Sequence, residues 1–257
     1  MMKILITAGG TSEKIDEVRK ISNIATGRLG SLIAEEFKKR ADADITYVCS
    51  ETAVIPPCTS VRIIRIGSVG ELMDTLTAIF KQNRFDAVIH TMAVSDYTVR
   101  GIVSADDLSS AITETVIKHS SSSPDILRDI VNSSIQRNAK HVMEHKKISS
   151  DIDNLMIFMS KTPKVISMIK RLQPETVLVG FKLLAGVDAD VLLHTGHELL
   201  VRNNCDLVFA NDLEGIQGDK HQGILIEPDC SYKRLNSKQE IAGAIAVKVL
   251  ARAGVIV

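Results

Sequence analysis

Apolar positions in this chain fall into two patterns that alternate along its length: short unbroken runs, and stretches where they recur every three or four residues. Unbroken runs bounded by turn residues predict strands buried on both faces, and the recurrences predict amphipathic helices. The first run, Ile4-Leu5-Ile6-Thr7, stops at Ala8-Gly9-Gly10-Thr11. A helix follows late, in Thr26-Gly27-Arg28-Leu29-Gly30 and the SLIAEEFKKR after it, with Leu29, Leu32, Ile33 and Phe37 on one face. The same reading places strands at Asp44–Cys49, Val61–Ile66 and Asp86–His90, and a helix over Gly70–Gln82 with Leu72, Leu76, Ile79 and Phe80 facing one way.

Further on, Thr162-Pro163-Lys164 puts a proline at a natural helix start, and the helix runs to Arg171. A strand over Thr176–Val179 ends in Gly180-Phe181-Lys182. The segment Asp188–Asn203 reads as a helix, Asp206–Ala210 as a strand ending in Asn211-Asp212, and Lys238–Arg252 as an amphipathic closing helix. Gly223–Glu227 and Tyr232–Leu235 form an expected terminal hairpin. Between Tyr97 and about Ser150 the alternation lapses into serine-rich, polar sequence with one helix near Pro124–Asn138.

Strands alternating with helices predict an α/β fold: a doubly wound, Rossmann-like, mainly parallel sheet, with a flap excursion at 97–150 and a C-terminal hairpin, in one domain over residues 1–257. Ligands of such sheets bind beyond the carboxyl ends of the strands, so the strand tips are where chemistry is expected. The glycines do not form the single tight turn of a dinucleotide-binding fingerprint, because a polar passage, Thr11 to Ala25, separates Gly9 and Gly10 from Gly27 and Gly30. Backbone N–H groups and the helix dipole there suit an anion, while Arg19 and Asn23 add side chains for something larger than a pyrophosphate. At the tip of DAVIH, Ala93 allows close approach and Asp96 either accepts from a nucleotide hydroxyl or base edge or caps a turn. Phe181 is a stacking platform or plain core. Lys147, in His145-Lys146-Lys147-Ile148, is a mobile point charge for phosphates or a solvated surface lysine.

Composition narrows the classes. Hydrophobic content is 45%, ordinary for a folded core, and 31 basic residues balance 31 acidic ones, so no net field draws the chain to nucleic acid or an anionic membrane. Cys49, Cys58, Cys205 and Cys230 show no C-x-x-C spacing, and neither a secretory h-region nor a bilayer-long apolar run is present. A cytoplasmic protein with reduced thiols is expected.

In order along the chain, GGTSEKID, VR, ISN, ATGRLG, AVSDY, KISS with TPK, GFKLL and AND resemble the motifs of the phosphopantothenoylcysteine synthetase family (phosphopantothenate–cysteine ligase, CoaB), in its short, free-standing bacterial form. The resemblance covers nearly the whole length and weakens between about Gly101 and Glu144. It implies a ligase of coenzyme A biosynthesis acting on 4′-phosphopantothenate and L-cysteine through an acyl-cytidylate. CTP, with ATP as the lesser expectation, would serve as co-substrate with Mg2+; a homodimer and no protein-held metal are implied. By the same resemblance Asn23 is tied to the intermediate, Lys147 to the nucleotide, Ala93, Asp96, Pro163 and Phe181 to its lining and Arg202 to its phosphates; the loop itself adds Arg19 and Asn23 as substrate-binding and Gly9, Gly10, Thr11 and Gly27 as nucleotide-binding residues. Two departures bear on base preference: Glu198 stands where relatives often carry a second basic residue, and Lys182-Leu183-Leu184 replaces a small-and-acidic ending.

Other readings compete. His141-Val142-Met143-Glu144-His145 matches the H-x-x-E-H pattern of zinc hydrolases but has no companion ligand motif. Glu51 lies near the distance at which a dinucleotide fold places its ribose-binding acid, which sustains an NAD(P)-dependent oxidoreductase as the alternative, although no tyrosine begins Y-x-x-x-K. A nucleotide-binding module without catalysis is the third, and intact Asn23 and Lys147 weigh against it.

Overall fold

The computed structural model describes residues 1–139 and 147–255; His141–His145, the H-x-x-E-H stretch, lies outside the described residues. In chain order the elements are β1 (Met2–Ala8), β2 (Ser12–Lys14), β3 (Lys20–Ser22), α1 (Arg28–Arg40), β4 (Ala43–Ser50), β5 (Val61–Ile66), α2 (Val69–Gln82), β6 (Ala87–His90), β7 (Tyr97–Ser104) and α3 (Ala105–Lys118). Then come α4 (Pro124–Asn138), β8 (Leu155–Lys161), α5 (Val165–Leu172), β9 (Val177–Leu184), α6 (Ala189–Asn203), β10 (Leu207–Gln217), β11 (Lys220–Ile226), β12 (Tyr232–Ser237) and α7 (Lys238–Arg252).

The chain divides into two units. The larger, Met1–Thr11 with Asn23–Val94 and Lys164–Val257, is built on an eight-stranded sheet in the order β12-β11-β10-β9-β6-β1-β4-β5. From β5 to β10 all neighbours are parallel, and β11 and β12 add an antiparallel edge. Every position of β1 is buried except Lys3, as a central strand covered on both faces requires. Successive side chains divide between two cores. Ile4, Ile6 and Ala8 meet Leu32, Ile33 and Phe37 of α1 and Ile241, Ile245 and Val249 of α7. Leu5, on the opposite face, joins Leu72 and Leu76 of α2, Ile169 of α5 and Leu200 of α6. Glu36, buried on α1, accepts from Gln239 of α7 at 2.8 Å as well as from Lys39 and Arg40, which links the two helices that cover one face.

From β1 the strands run outward to β4 and β5, then resume at β6 on the other side of β1. That reversal is the topological switch point, and ligands of such sheets bind beyond the carboxyl ends of the strands that flank it, here β1 and β6.

The smaller unit comprises Ser12–Ser22 and Ser95–Pro163. It contains the antiparallel pairs β2/β3 and β7/β8 and the helices α3 and α4. Ser104 caps α3 by accepting from the Asp107 N–H at 3.0 Å, Pro124 opens α4, and Arg100 of β7 bonds Gln136 of α4. The stretch expected as an excursion, 97–150, falls in this unit, and the polar passage after β1 contributes a hairpin to it rather than an open loop. In that hairpin Asp16 Oδ1 accepts the Val18 and Arg19 N–H groups at 2.8 and 2.7 Å. A second strand reading also changes: β9 continues to Leu184, so Gly180-Phe181-Lys182 lies inside a strand.

Candidate functional site

At the switch point the two strand tips are tied together by backbone. The Ala93 N–H donates to Gly9 O at 2.9 Å, the Thr11 N–H donates to Ala93 O at 3.0 Å, and the Asn23 N–H donates to Thr11 O at 3.1 Å. Gly10 and Ala93 form an isolated parallel bridge that extends the β1–β6 pairing beyond both strands. Asn23, half-buried, adds its side chain: Nδ2 donates to Ala93 O at 3.1 Å. Five sequence-selected positions, Gly9, Gly10, Thr11, Asn23 and Ala93, are thereby brought into one bonded cluster.

The glycines are needed for packing inside that cluster. Gly9 has φ +85°, and a Cβ there would lie 2.2 Å from Ser50 Oγ. At Gly10 it would lie 2.3 Å from Asn23 O. Gly27, at φ 73°, is the N-cap of α1, and the Tyr47 hydroxyl donates to its carbonyl at 3.2 Å. A Cβ on Gly30 would meet Ala8 Cβ at 2.7 Å and Thr91 Oγ1 at 3.1 Å, which seats the first turn of α1 on the two strand tips. Gly27 brings no side chain to cap that turn and the turn holds no acidic residue; Thr26 Oγ1 accepts only from the Arg28 N–H, at 3.4 Å, so the positive end of the dipole is left for an anion.

Beneath the cluster His90 Nδ1 meets Thr7 Oγ1 at 2.8 Å, and burial pushes the imidazole pKa down to about 4, which keeps it neutral. Phe181 sits at the height of the tips, half-buried, its ring 5.9 Å from Phe209. Arg202 is not brought to this place. It is exposed in the last turn of α6, which leads into the start of β10, at the opposite edge of the parallel strands.

The remaining selected residues belong to the smaller unit. Arg19, Asp96, Lys147 and Pro163 are all exposed there. The Asp96 carbonyl accepts from the Thr162 N–H at 3.0 Å. Next to Lys147, the Ile148 N–H donates to Asp16 Oδ2 at 3.1 Å. Burial alone would raise the Asp16 pKa, but the Ile148, Val18 and Arg19 N–H groups and the Arg19 charge outweigh it and hold the carboxyl below its usual range. Among the described residues no group of three or more His, Cys, Asp or Glu side chains is placed to hold a metal ion, and no helix is long and apolar enough to cross a membrane.

Sequence reasoning passed over several side chains. Ser50 Oγ, Asn211 Nδ2 and both ring nitrogens of His221 are buried with no hydrogen-bond partner among the described residues. Asn211 stood out only as the end of a strand, and His221 lies in a polar hairpin where no periodicity marks it.

Residues 1–143 and 137–252 match the profile of the DNA/pantothenate metabolism flavoprotein C-terminal domain. The coenzyme A biosynthesis bifunctional protein CoaBC of Thermococcus kodakarensis is 28% identical over 241 residues, which are 93% of this chain and 49% of that protein. CoaBC of Borreliella burgdorferi is 29% identical over 252 residues, 96% of this chain and 52% of that protein. The chain therefore spans about half the length of these curated relatives. Among solved structures, the DNA/pantothenate metabolism flavoprotein from Streptococcus pneumoniae superposes with a TM-score of 0.80 at 33% identity, covering 98% of this chain and 99% of that one. A Cab2 mutant in complex with phosphopantothenate-cysteine shares the fold, with a TM-score of 0.66 at 19% identity over 98% of this chain and 86% of that one.

Proposed function

Because the chain belongs to the family of the DNA/pantothenate metabolism flavoprotein C-terminal domain, we propose that it is a phosphopantothenate–cysteine ligase of coenzyme A biosynthesis. The names of the CoaBC relatives and the ligand of the Cab2 complex support the reading. The observation that carries it is the switch-point cluster, in which Asn23 Nδ2 bonds Ala93 O beside the first turn of α1, which holds no acidic residue.

In the proposed reaction a carboxylate oxygen of 4′-phosphopantothenate attacks the α-phosphorus of CTP, and the bridging P–O bond breaks to release pyrophosphate. The amine of cysteine then attacks the acyl carbon. The C–O bond to CMP breaks, CMP departs, and the amine proton passes to solvent. Both steps build charge on phosphate and carbonyl oxygens, and fixed donors aimed at such charge lower the barrier most. The N-terminal N–H groups of α1 serve the phosphate. Asn23 uses one amide hydrogen on Ala93 O, leaving the other hydrogen and its own carbonyl for the acyl-cytidylate. Gly9, Gly10, Thr11 and Gly27 let the surrounding backbone close to that arrangement.

Phe181 supplies an aromatic face at the same height. Arg202 is proposed for phosphate on the resemblance alone, because its edge of the sheet is remote from the cluster. Asp96, Pro163 and Lys147 likewise enter from the resemblance, Lys147 as a point charge on the nucleotide, and Arg19 enters as a charged side chain of the polar passage after β1. Magnesium is proposed as the companion of the triphosphate, held mainly by phosphate oxygens and water. A cytoplasmic homodimer is proposed on the same family ground, and sedimentation tests the dimer.

Pyrophosphate release with CTP and ATP side by side is the decisive assay. It is expected to need phosphopantothenate and to favour CTP, with amide appearing only once cysteine is added. Release without phosphopantothenate, or none with any nucleotide, would overturn the proposal. Lys147→Gln is expected to lower turnover by about tenfold or more by removing a charge from the reacting phosphates. Since Lys147 is exposed, its melting temperature should move by less than about 2 °C. Unchanged kinetics would return Lys147 to the solvated surface.

A further inference from the structure

Within the smaller unit one buried carboxylate serves two segments that lie far apart in the chain. Asp16 is 3% exposed. Its Oδ1 accepts the Val18 and Arg19 N–H groups at 2.8 and 2.7 Å, which closes the turn between β2 and β3. The Arg19 carbonyl completes that turn by accepting from the Ile15 and Asp16 N–H groups at 2.9 and 3.3 Å. Aspartate commonly stabilises a turn by bonding the backbone two residues on, and one oxygen is enough for that. The other oxygen is used elsewhere: Oδ2 accepts the Ile148 N–H at 3.1 Å, 132 residues further along.

That second bond falls on the peptide joining Lys147 to Ile148. Ile148 is buried, while Lys147 is exposed. Among the described residues no other hydrogen bond ties either of them to the chain. Just beyond, Ser149 Oγ donates to Asp151 Oδ2 at 2.9 Å and accepts from the Asp151 N–H at 3.1 Å, a local turn that anchors nothing. A bond from an N–H to a carboxylate is charge-assisted and about twice as strong as a neutral one. Burial alone would raise the Asp16 pKa, yet the three N–H groups and the Arg19 charge keep the carboxyl ionised. One ionised side chain thus fixes the backbone that carries two exposed cations, Arg19 and Lys147.

A long lysine side chain serves a reacting phosphate best when its backbone is held, since a displacement of about 1 Å at a reacting group costs about 100-fold in rate. We propose that Asp16 is a positioning residue of the ligation, which sets where Lys147 stands by clipping its peptide to the turn that bears Arg19. The inference rests on the ligase reading and deepens it, because it names a side chain that acts through Lys147. The acid itself is not offered to a reactant, since N–H groups occupy both of its oxygens.

Asp16→Asn separates the two bonds. The amide oxygen stays with the two N–H groups of the turn, and the NH2 group is left facing the Ile148 N–H, donor against donor. Amide formation is measured on the full chain with CTP, phosphopantothenate and cysteine, well below the melting temperature of each variant. In Asp16→Asn kcat should fall by about tenfold, as for Lys147→Gln, with the KM of cysteine unchanged. In a Lys147→Gln background the same change should cost less than about twofold, because changes that act through one group do not add. A purely structural role would lower turnover equally in both backgrounds. That result would overturn the inference, as would wild-type turnover in Asp16→Asn, and either leaves the ligase reading standing. A wild-type chain that makes no amide overturns both. Should Asp16→Asn fail to fold, Asp16→Ser decides by the same cycle, since its one oxygen can serve the turn but not Ile148 as well. A loss that vanishes in the Lys147→Gln background supports the inference; a loss that persists there, or no loss at all, overturns it.

Discussion

Replacing Asn23 by aspartate will remove most amide formation and leave the chain folded. The side-chain nitrogen that donates to Ala93 O at 3.1 Å becomes an oxygen, so two acceptors face each other across the two strand tips. A negative charge is also placed where the proposed reaction gathers a carboxylate and a phosphate, and where it would compete with them for the positive end of α1, whose first turn holds no acidic residue. Loss of one fixed donor to a developing oxyanion lowers turnover by about 10² to 10³-fold, and the added repulsion places the expected effect at the upper end. Stability should suffer little. Asn23 is half-buried, and its backbone bonds, its N–H to Thr11 O and its carbonyl from the Ala25 N–H, do not involve the side chain. Cysteine-dependent amide formation set beside a thermal melt separates the two effects. Turnover near that of the wild type would remove Asn23 from the mechanism; a collapsed melt would recast it as a structural tie between the loops.

What could be read from the sequence was what burial writes into it. The parallel strands around β1 are unbroken apolar runs because both faces are covered, and α2 and α7 show their stripes because one face meets the sheet; the limits of β4, β5, β6, α2 and α7 fall within a residue of those expected. Helix α3 was not marked, because only Leu108 among its residues is buried and its serines and threonines blur the stripe. The β2/β3 hairpin was read as a loop because its strands are only three residues long with no apolar run, and its turn depends on one side chain, Asp16.

The site divided along the same line. Gly9, Gly10 and Ala93 could be placed because strand tips announce themselves. Even so, the tertiary reason for the glycines, contact with Ser50 and Asn23, could not be foreseen, since it depends on where distant loops settle. For Arg202 residue type and spacing could be read but not place: a helix of 15 residues carries it to the last turn of α6, at the start of β10. The second bond of Asp16 needed the fold itself, since Ile148 lies 132 residues further on.

The second large effect concerns Gly10, where alanine will cost both stability and turnover. The added Cβ would stand 2.3 Å from Asn23 O and 3.1 Å from Asn23 C, both backbone atoms that no rotamer change can move. Asn23 O is held by the Ala25 N–H at 3.1 Å, and Gly10 is held against Ala93 by the bridge and its flanking bonds, so neither side can yield alone. Overpacking of this kind costs about 1–3 kcal/mol, which in a chain of this size lowers the melting temperature by about 2–12 °C. Relief of the clash requires the Asn23 segment to move away from Ala93. A displacement of about 1 Å in a reacting group costs about 100-fold in rate, so the loss of turnover should exceed what the melt alone explains. Gly70→Ala is the matched control: its Cβ would meet nothing nearer than Ser68 Oγ at 3.7 Å, in the first turn of α2, and it should leave turnover intact and the melt unchanged or slightly higher. If Gly10→Ala melted and turned over like Gly70→Ala, the contact between the first glycine loop and Asn23 would not be what aligns the site.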